Sequence, residues 1–332
     1  MLLLGAALWF AALAWARMGA LRAQPLSQQA AERFSGRSGR PFVQLSAFFH
    51  PKDGVSVFDI LLCGESLQAG LRSSGNGAKG TETVFAYGYS ASAFLSVQSS
   101  RGTFRLPATG TGGDFFLFHP YPLLYGSLME FPAGNGIILD DRAAWLLFGA
   151  VDAVGQPVLI GGAAYVVSGV VRLEKGPAHR AALGDADCMV FVPFDLLETG
   201  VTCYEVLLPE PVEGYGEALF AGLGVNDIRV NTARFSAPAI WKRIRSLPAY
   251  NMDTSSSALP YWENAARNLE MRIILWTLAL VFVLLPVSAV LILILSVPPL
   301  KRSLGAVRGR SRSPGRRVTG PALAGGKEEM RI

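Results

Sequence analysis

Residues that could do chemistry are few and scattered along this chain. The three histidines, His50, His119 and His179, form no H-E-x-x-H pair and no C-x-x-C accompanies them, so the spacing of a zinc site is missing. His50 and His119 each precede a proline, which suits a turn-capping role better than metal ligation. A serine nucleophile needs a G-x-S-x-G elbow, whereas Tyr89-Ser90-Ala91-Ser92 lacks the glycines and reads as strand. Asp140 and Asp141 are adjacent carboxylates, but an acid–base pair needs separated environments to split its pKa values, so a helix cap is the expected role. No G-x-x-x-x-G-K-[ST] loop occurs; Gly75 to Thr81 has three glycines but ends in Lys79-Gly80-Thr81 within a polar loop. The chain is therefore expected to be no enzyme, with no catalytic, cofactor-binding or metal-binding residues.

The elements that could position a site centre on Phe115 to Val171. A short strand is expected at Ile137 to Leu139, then a helix starting at Asp140 or Asp141 whose free N–H groups an aspartate can cap. Gly149 can end that helix with a positive φ. Val158 to Ile160, Gly161-Gly162 and Ala164 to Val171 read as a hairpin, because a Gly-Gly pair supplies the left-handed φ of a two-residue turn.

Composition adds a membrane. Of 332 residues 51% are hydrophobic and only 17% charged, with a mean hydropathy of +0.34, against about 25% charged in a soluble domain. Residues 273–297 carry no charge, and at about 1.5 Å per residue they cover a hydrocarbon core of about 30 Å. Pro286 allows a kink. At the N-terminus, Leu2 to Ala16 is uncharged but short, and reaches Leu21 if Arg17 snorkels. Residues 1–23 are thus a transmembrane anchor or a signal peptide, for which Ala14-Trp15-Ala16 offers a cleavage site. No Lys or Arg precedes the run, which favours the anchor.

The whole chain carries a net charge of +5 and residues 301–332 alone carry +7, so residues 1–300 carry −2. This asymmetry expects a cytoplasmic tail (298–332) and an extracytoplasmic domain (28–265). The basic pI of 9.2 belongs to the tail and is no argument for nucleic-acid binding by the folded part. A basic Gly/Ser/Pro-rich tail can also lie on anionic lipids.

The central unit resembles the periplasmic core domain of MacB-like ABC transporter permeases. The residues that carry the likeness are Phe116 to Gly126, Ile137 to Leu139, Ala143 to Gly149, Val154-Gly155-Gln156 and Val167-Ser168-Gly169-Val170-Val171. Ala153 stands where the family usually has Pro, and Gln156 where it often has Lys. The resemblance implies an α+β extracytoplasmic domain of two subdomains, flanked by one N-terminal and one C-terminal transmembrane helix.

Phe42 to Phe49, Val84 to Val97 and Gly102 to Leu106 read as strands, Val55 to Leu71 as a strand–helix element, and Ser73 to Thr83 as a surface loop. Residues 187–234 are expected to form the second, Porter-like subdomain, as strands at Cys188 to Pro193 and Val201 to Leu208, a helix at Glu213 to Gly222 and a strand at Asp227 to Ala233. Cys188 and Cys203 fall on what read as neighbouring strands and are the candidate disulfide, with Cys63 left free. Tyr261, Trp262 and Trp276 are expected in an interfacial aromatic belt.

The family likeness implies a function coupled to a separate ABC ATPase and a fuller permease subunit, since a complete permease would carry further helices. Arg302-Ser303-Leu304-Gly305-Ala306-Val307-Arg308 is similar to the family's R-x-L-G-A-x-R run, so Arg302, Leu304, Gly305, Ala306 and Arg308 are the candidate partner contacts. The alternative is a membrane-tethered recognition or sensor module independent of any ABC system.

Overall fold

The computed structural model describes residues 2–73, 85–128, 131, 134–174, 176–184, 187–222, 228–245, 252 and 259–296. The loop expected at Ser73 to Thr83 falls almost wholly outside them, as does the tail with Arg302, Leu304, Gly305, Ala306 and Arg308.

Helix α1 (Leu2–Arg22) and α2 (Ala30–Ser38) precede strand β1 (Phe42–Phe48). Next come α3 (Val57–Ser73), β2 (Ala86–Ser99), β3 (Gly102–Gly113), the short α4 (Phe115–Phe118) and β4 (Leu123–Gly126). The central unit continues with β5 (Gly136–Asp140), α5 (Asp141–Phe148), β6 (Pro157–Ile160) and β7 (Ala163–Val171). Then follow α6 (Pro177–Leu183), β8 (Val190–Pro193), β9 (Cys203–Pro209), α7 (Tyr215–Ala221), β10 (Ile228–Val230), α8 (Ala237–Ile244) and α9 (Tyr261–Ser296).

Hydrogen bonding closes six of the strands into a ring. β2 pairs β3, β3 pairs β8, β8 pairs β5, β5 pairs β7, β7 pairs β6, and β6 returns to β2 at Val97 and Gln98. Closure satisfies backbone groups that an open sheet leaves at its edges. β5 packs Ile137, Ile138 and Leu139 with no exposure at all, the continuous apolar pattern of a strand buried on both faces. α5 follows as expected: the Asp140 carboxylate accepts from the Ala143 N–H at 2.7 Å, and Gly149 ends the helix at φ 74°. Its Ala143, Ala144 and Leu147 join the same core as Val158, Val167 and Val190. Gly161 and Gly162 have φ of 60° and 84°, the left-handed pair that joins β6 to β7 in register Ile160 to Ala163.

The remaining strands extend β2 sideways. The order β10-β1-β9-β2 is antiparallel throughout, with α3 linking β1 to β2 and α7 linking β9 to β10. That is a β-α-β-β-α-β wing with the ring inserted between its second and third strands. α3 turns Ile60, Gly64, Leu67 and Leu71 inward, a helical stripe rather than the strand–helix element expected there. Residues 187–234 are accordingly split between the layers. β8 lies in the ring, while β9, α7 and β10 complete the wing that β1, α3 and β2 begin.

This interleaving corrects the disulfide. β9 and β8 are separated in the sheet by β2 and β3. Three inter-strand steps of about 4.8 Å exceed the roughly 7 Å Cα separation a bridge tolerates. Cys188 and Cys203 are free thiols in different core clusters, and Cys63 is free as well.

By contacts the chain divides into Ala12–Leu278 and a unit of Met1–Ala11 with Ala279–Ile332. Two helices, α1 and α9, are long and apolar enough to cross a membrane by length and composition. In the second unit Leu8, Trp9, Phe282, Leu285, Ile292 and Leu293 are exposed apolar side chains, and Pro286 lies within the helix.

Glycine positions test the topology. Gly126 on β4 has φ 77°, and a Cβ there would meet the Ser168 carbonyl oxygen at 2.1 Å, whereas the Gly162 position is open. Gly126→Ala should destabilise by about 2 kcal/mol or more, and Gly162→Asn by only a few tenths of a kcal/mol, on the order of an αL asparagine's small penalty. Thermal unfolding of the two variants in detergent checks the contrast.

Candidate functional site

The most concentrated polar chemistry lies at the start of α9. Its apolar run is preceded by helical turns that the domain buries, including Trp262, Glu263, Ala265, Ala266, Leu269, Glu270 and Ile273. Glu263, Arg267 and Glu270 recur at i, i+4 and i+7, one helical face. That face meets Arg234, in the turn after β10.

Arg234 is gripped by two carboxylates. Its Nη1 and Nη2 donate to Glu263 at 2.6 and 2.9 Å, and its Nε and Nη2 donate to Glu270 at 2.7 and 3.2 Å. Side-chain exposure is 1% for Arg234, 0% for Glu263 and 2% for Glu270. Arg267 Nε also donates to Glu263 at 2.9 Å, and Arg243 from α8 to Glu270 at 2.8 Å. Burial alone would lower the guanidinium pKa, but the charges of Glu263 and then Glu270 outweigh it and raise it above the usual value. Such forked, charge-assisted bonds are short and fix geometry as well as charge.

The cluster also holds the segment that follows α1. Arg234 Nη1 donates to Gln28 Oε1 at 2.8 Å. Gln44 of β1 fastens the same segment, accepting from the Ala30 N–H and donating to the Ser27 carbonyl. Arg33 of α2 donates to the carbonyls of Leu117 and Phe118.

A second buried line runs into the sheet. Asn231 donates to Ser46 Oγ at 2.7 Å, and Ser46 donates to Glu205 of β9 at 3.2 Å. Glu205 Oε2 is paired with His119 Nε2 at 2.6 Å, and neither side chain is more than 2% exposed. The His119 ring lies 4.3 Å from both Phe115 and Trp262. Tyr261 donates its hydroxyl hydrogen to Tyr121. Tyr261 and Trp262 are therefore domain core, not the interfacial belt expected of them, because the helix begins inside the domain. His119 does stand at the end of α4, but its side chain is hydrogen-bonded to Glu205 rather than capping the helix.

The other sequence candidates have simple roles. His50 caps the turn at Pro51–Asp53, accepting from the Lys52 N–H at 3.1 Å, while Asp53 accepts from the His50 N–H. His179 pairs with Glu174 at 2.7 Å. Among the described residues no group of His, Cys, Asp and Glu could hold a metal ion. Asp140, besides capping α5, accepts from the Met189 N–H at 3.2 Å; burial pushes its carboxyl up to about 6, against the pull of those N–H groups. Asp141 pairs separately with Arg172. Burial raises the Cys63 and Cys188 thiols to about 11, so neither is a ready nucleophile. Sequence reasoning missed Arg234, Glu263, Arg267 and Glu270. The available signal was a charged i, i+4, i+7 row interleaved with Ala265, Ala266 and Leu269 just before the apolar run.

With this geometry in hand, comparison with known proteins is specific. Residues 70–214 match the family model of the MacB-like periplasmic core domain. The periplasmic region of MacB from Actinobacillus actinomycetemcomitans is 15% identical, with 61% of this chain and 92% of that one covered at a TM-score of 0.39. The extracellular domain of the noncanonic ABC-type transporter YknZ from Gram-positive bacteria is 18% identical, with 57% and 98% covered at a TM-score of 0.35. No curated protein matches the chain.

Two variants test the site. Arg234→Ala leaves Glu263 and Glu270 buried without their main partner and should destabilise by about 3–5 kcal/mol; Arg234→Lys should recover only part, lacking the fork. Chemical denaturation in detergent measures both. For Asp140, whose carboxyl is raised from 3.8 to about 6, the folded state alone holds the proton between those values, so stability falls as pH rises through that window. Asp140→Asn keeps a capping oxygen and should flatten that fall, measured as the difference in Tm between pH 4 and pH 7.

Proposed function

We propose that this chain, which carries a MacB-like periplasmic core domain, is a non-catalytic membrane subunit or accessory of an ABC-type transport system, coupled to a separate ATPase. The observation that supports this most is the double grip of Arg234, on Gln28 after α1 and on Glu263 and Glu270 of α9. A helix moved by a partner takes the domain with it, because letting go strands a charge in the interior at a cost of about 3–5 kcal/mol.

In this reading residues 1–23 and 273–297 span the membrane and 28–265 form the extracytoplasmic domain, with the ring and the wing as its two subdomains. The tail, 298–332, is cytoplasmic by its excess of Lys and Arg. Arg302, Leu304, Gly305, Ala306 and Arg308 then supply a contact to the ATPase side of the system, and a fuller permease subunit provides the pathway.

Mild-detergent affinity purification of the tagged full chain, with mass spectrometry of what accompanies it, tests the proposal. The expected result is an ABC ATPase with a multi-span permease, both lost when residues 300–332 are deleted. Recovery of neither, under conditions that keep a known ABC complex whole, contradicts it and favours a tethered recognition module.

A further inference from the structure

A cavity of about 370 Å³ lies where the domain-side ends of α1 and α9 meet α6. Leu13, Leu21 and Leu269 line it together with Arg17, Gln24 and Arg272, and among the described residues its lining holds no carboxylate. The two arginines have matching places in the sequence. Arg17 is the first charge after the N-terminal apolar run, and Arg272 is the last charge before the C-terminal one. The fold thus brings together in one cavity the two cations that mark the same boundary of the two runs. Among the described residues Arg17 makes no hydrogen bond or ion pair, and Arg272 is held only through Nε, which donates to Asn268 at 2.6 Å. Gln24 Oε1 is shielded from solvent without a donor. Trp276 also lines the cavity, a residue suited to the headgroup level.

We propose that this cavity binds the headgroup of an anionic glycerophospholipid, with Arg17 and Arg272 on its phosphate and Gln24 accepting from a headgroup hydroxyl. Guanidinium groups match phosphate oxygens in geometry and charge. The apolar lining suits the upper acyl chains. A lipid held there would join α1 to α9 at the membrane surface, beside the Arg234 cluster. The proposal rests on both helices being membrane spans.

Native mass spectrometry of the full chain, delipidated in detergent and titrated with phosphatidylglycerol or phosphatidylcholine, tests it. One tight phosphatidylglycerol adduct is expected, with phosphatidylcholine weaker. Arg17→Gln with Arg272→Gln should weaken it roughly twenty-five-fold, at about fivefold for each charge near the membrane surface. Arg17→Lys with Arg272→Lys should keep most of the binding, which separates lost charge from misfolding. Neutralising Arg308, Arg310 and Arg312 of the tail should leave the adduct intact. Unchanged binding in the double Gln variant, loss on neutralising the tail alone, or displacement by equimolar inorganic phosphate would each overturn the site. Release of the chain from membranes by alkaline carbonate would instead overturn the spans themselves, and with them this proposal.

Discussion

A guanidinium taken out of water needs counter-charges and hydrogen-bond acceptors, and Arg234 finds its counter-charges on one helix and a further acceptor on a distant segment of the chain. Glu263 and Glu270 come from α9, Gln28 from the segment after α1, and Arg243 of α8 completes the charge around Glu270. Apolar faces can slide over one another by small steps, since dispersion has no preferred direction. Forked salt bridges cannot, because a shift of even one helical residue breaks them and strands a buried charge. The cluster therefore sets the register of α9 against the domain.

Two routes lead from the start of α9 and its cluster into the sheet. One follows Asn231 and Ser46 to Glu205 on β9, in the wing. The other follows Trp262 to Phe115 and His119, just past the end of β3 in the ring. The His119–Glu205 pair joins the two routes. β2 joins the layers in the same way through its backbone, pairing β9 over Ala86 to Ser90 and β6 at Val97 and Gln98. The start of α9 is thus linked to ring and wing alike.

The parts legible in the sequence were those set by local rules. Asp140, Gly149 and the Gly161-Gly162 pair each impose a cap or turn whatever surrounds them, and the structure has all three in place. Non-local order was not legible. Nothing near Cys188 or Cys203 says that two strands from earlier in the chain lie between theirs, so adjacency in sequence was mistaken for adjacency in the sheet. Trp262 was misplaced for a related reason. An aromatic beside an apolar run suits a membrane interface or a core equally well, and only the burial of Glu263 and Glu270 on the same helix decides for the core. Arg234 lies between β10 and α8 without any motif, and its role exists only once α9 folds against it.

The measurement closest to the central claim is amide hydrogen exchange of the full chain in nanodiscs, comparing residues 261–272 with β1 and β9. If the buried cluster makes the start of α9 part of the domain, those amides should exchange as slowly as the two strands, and Arg234→Ala should release them while β2 and β3 keep their protection. Exchange of 261–272 at the rate of an unsupported helix in the unaltered chain would contradict the account, because the helix would then not be held by the domain.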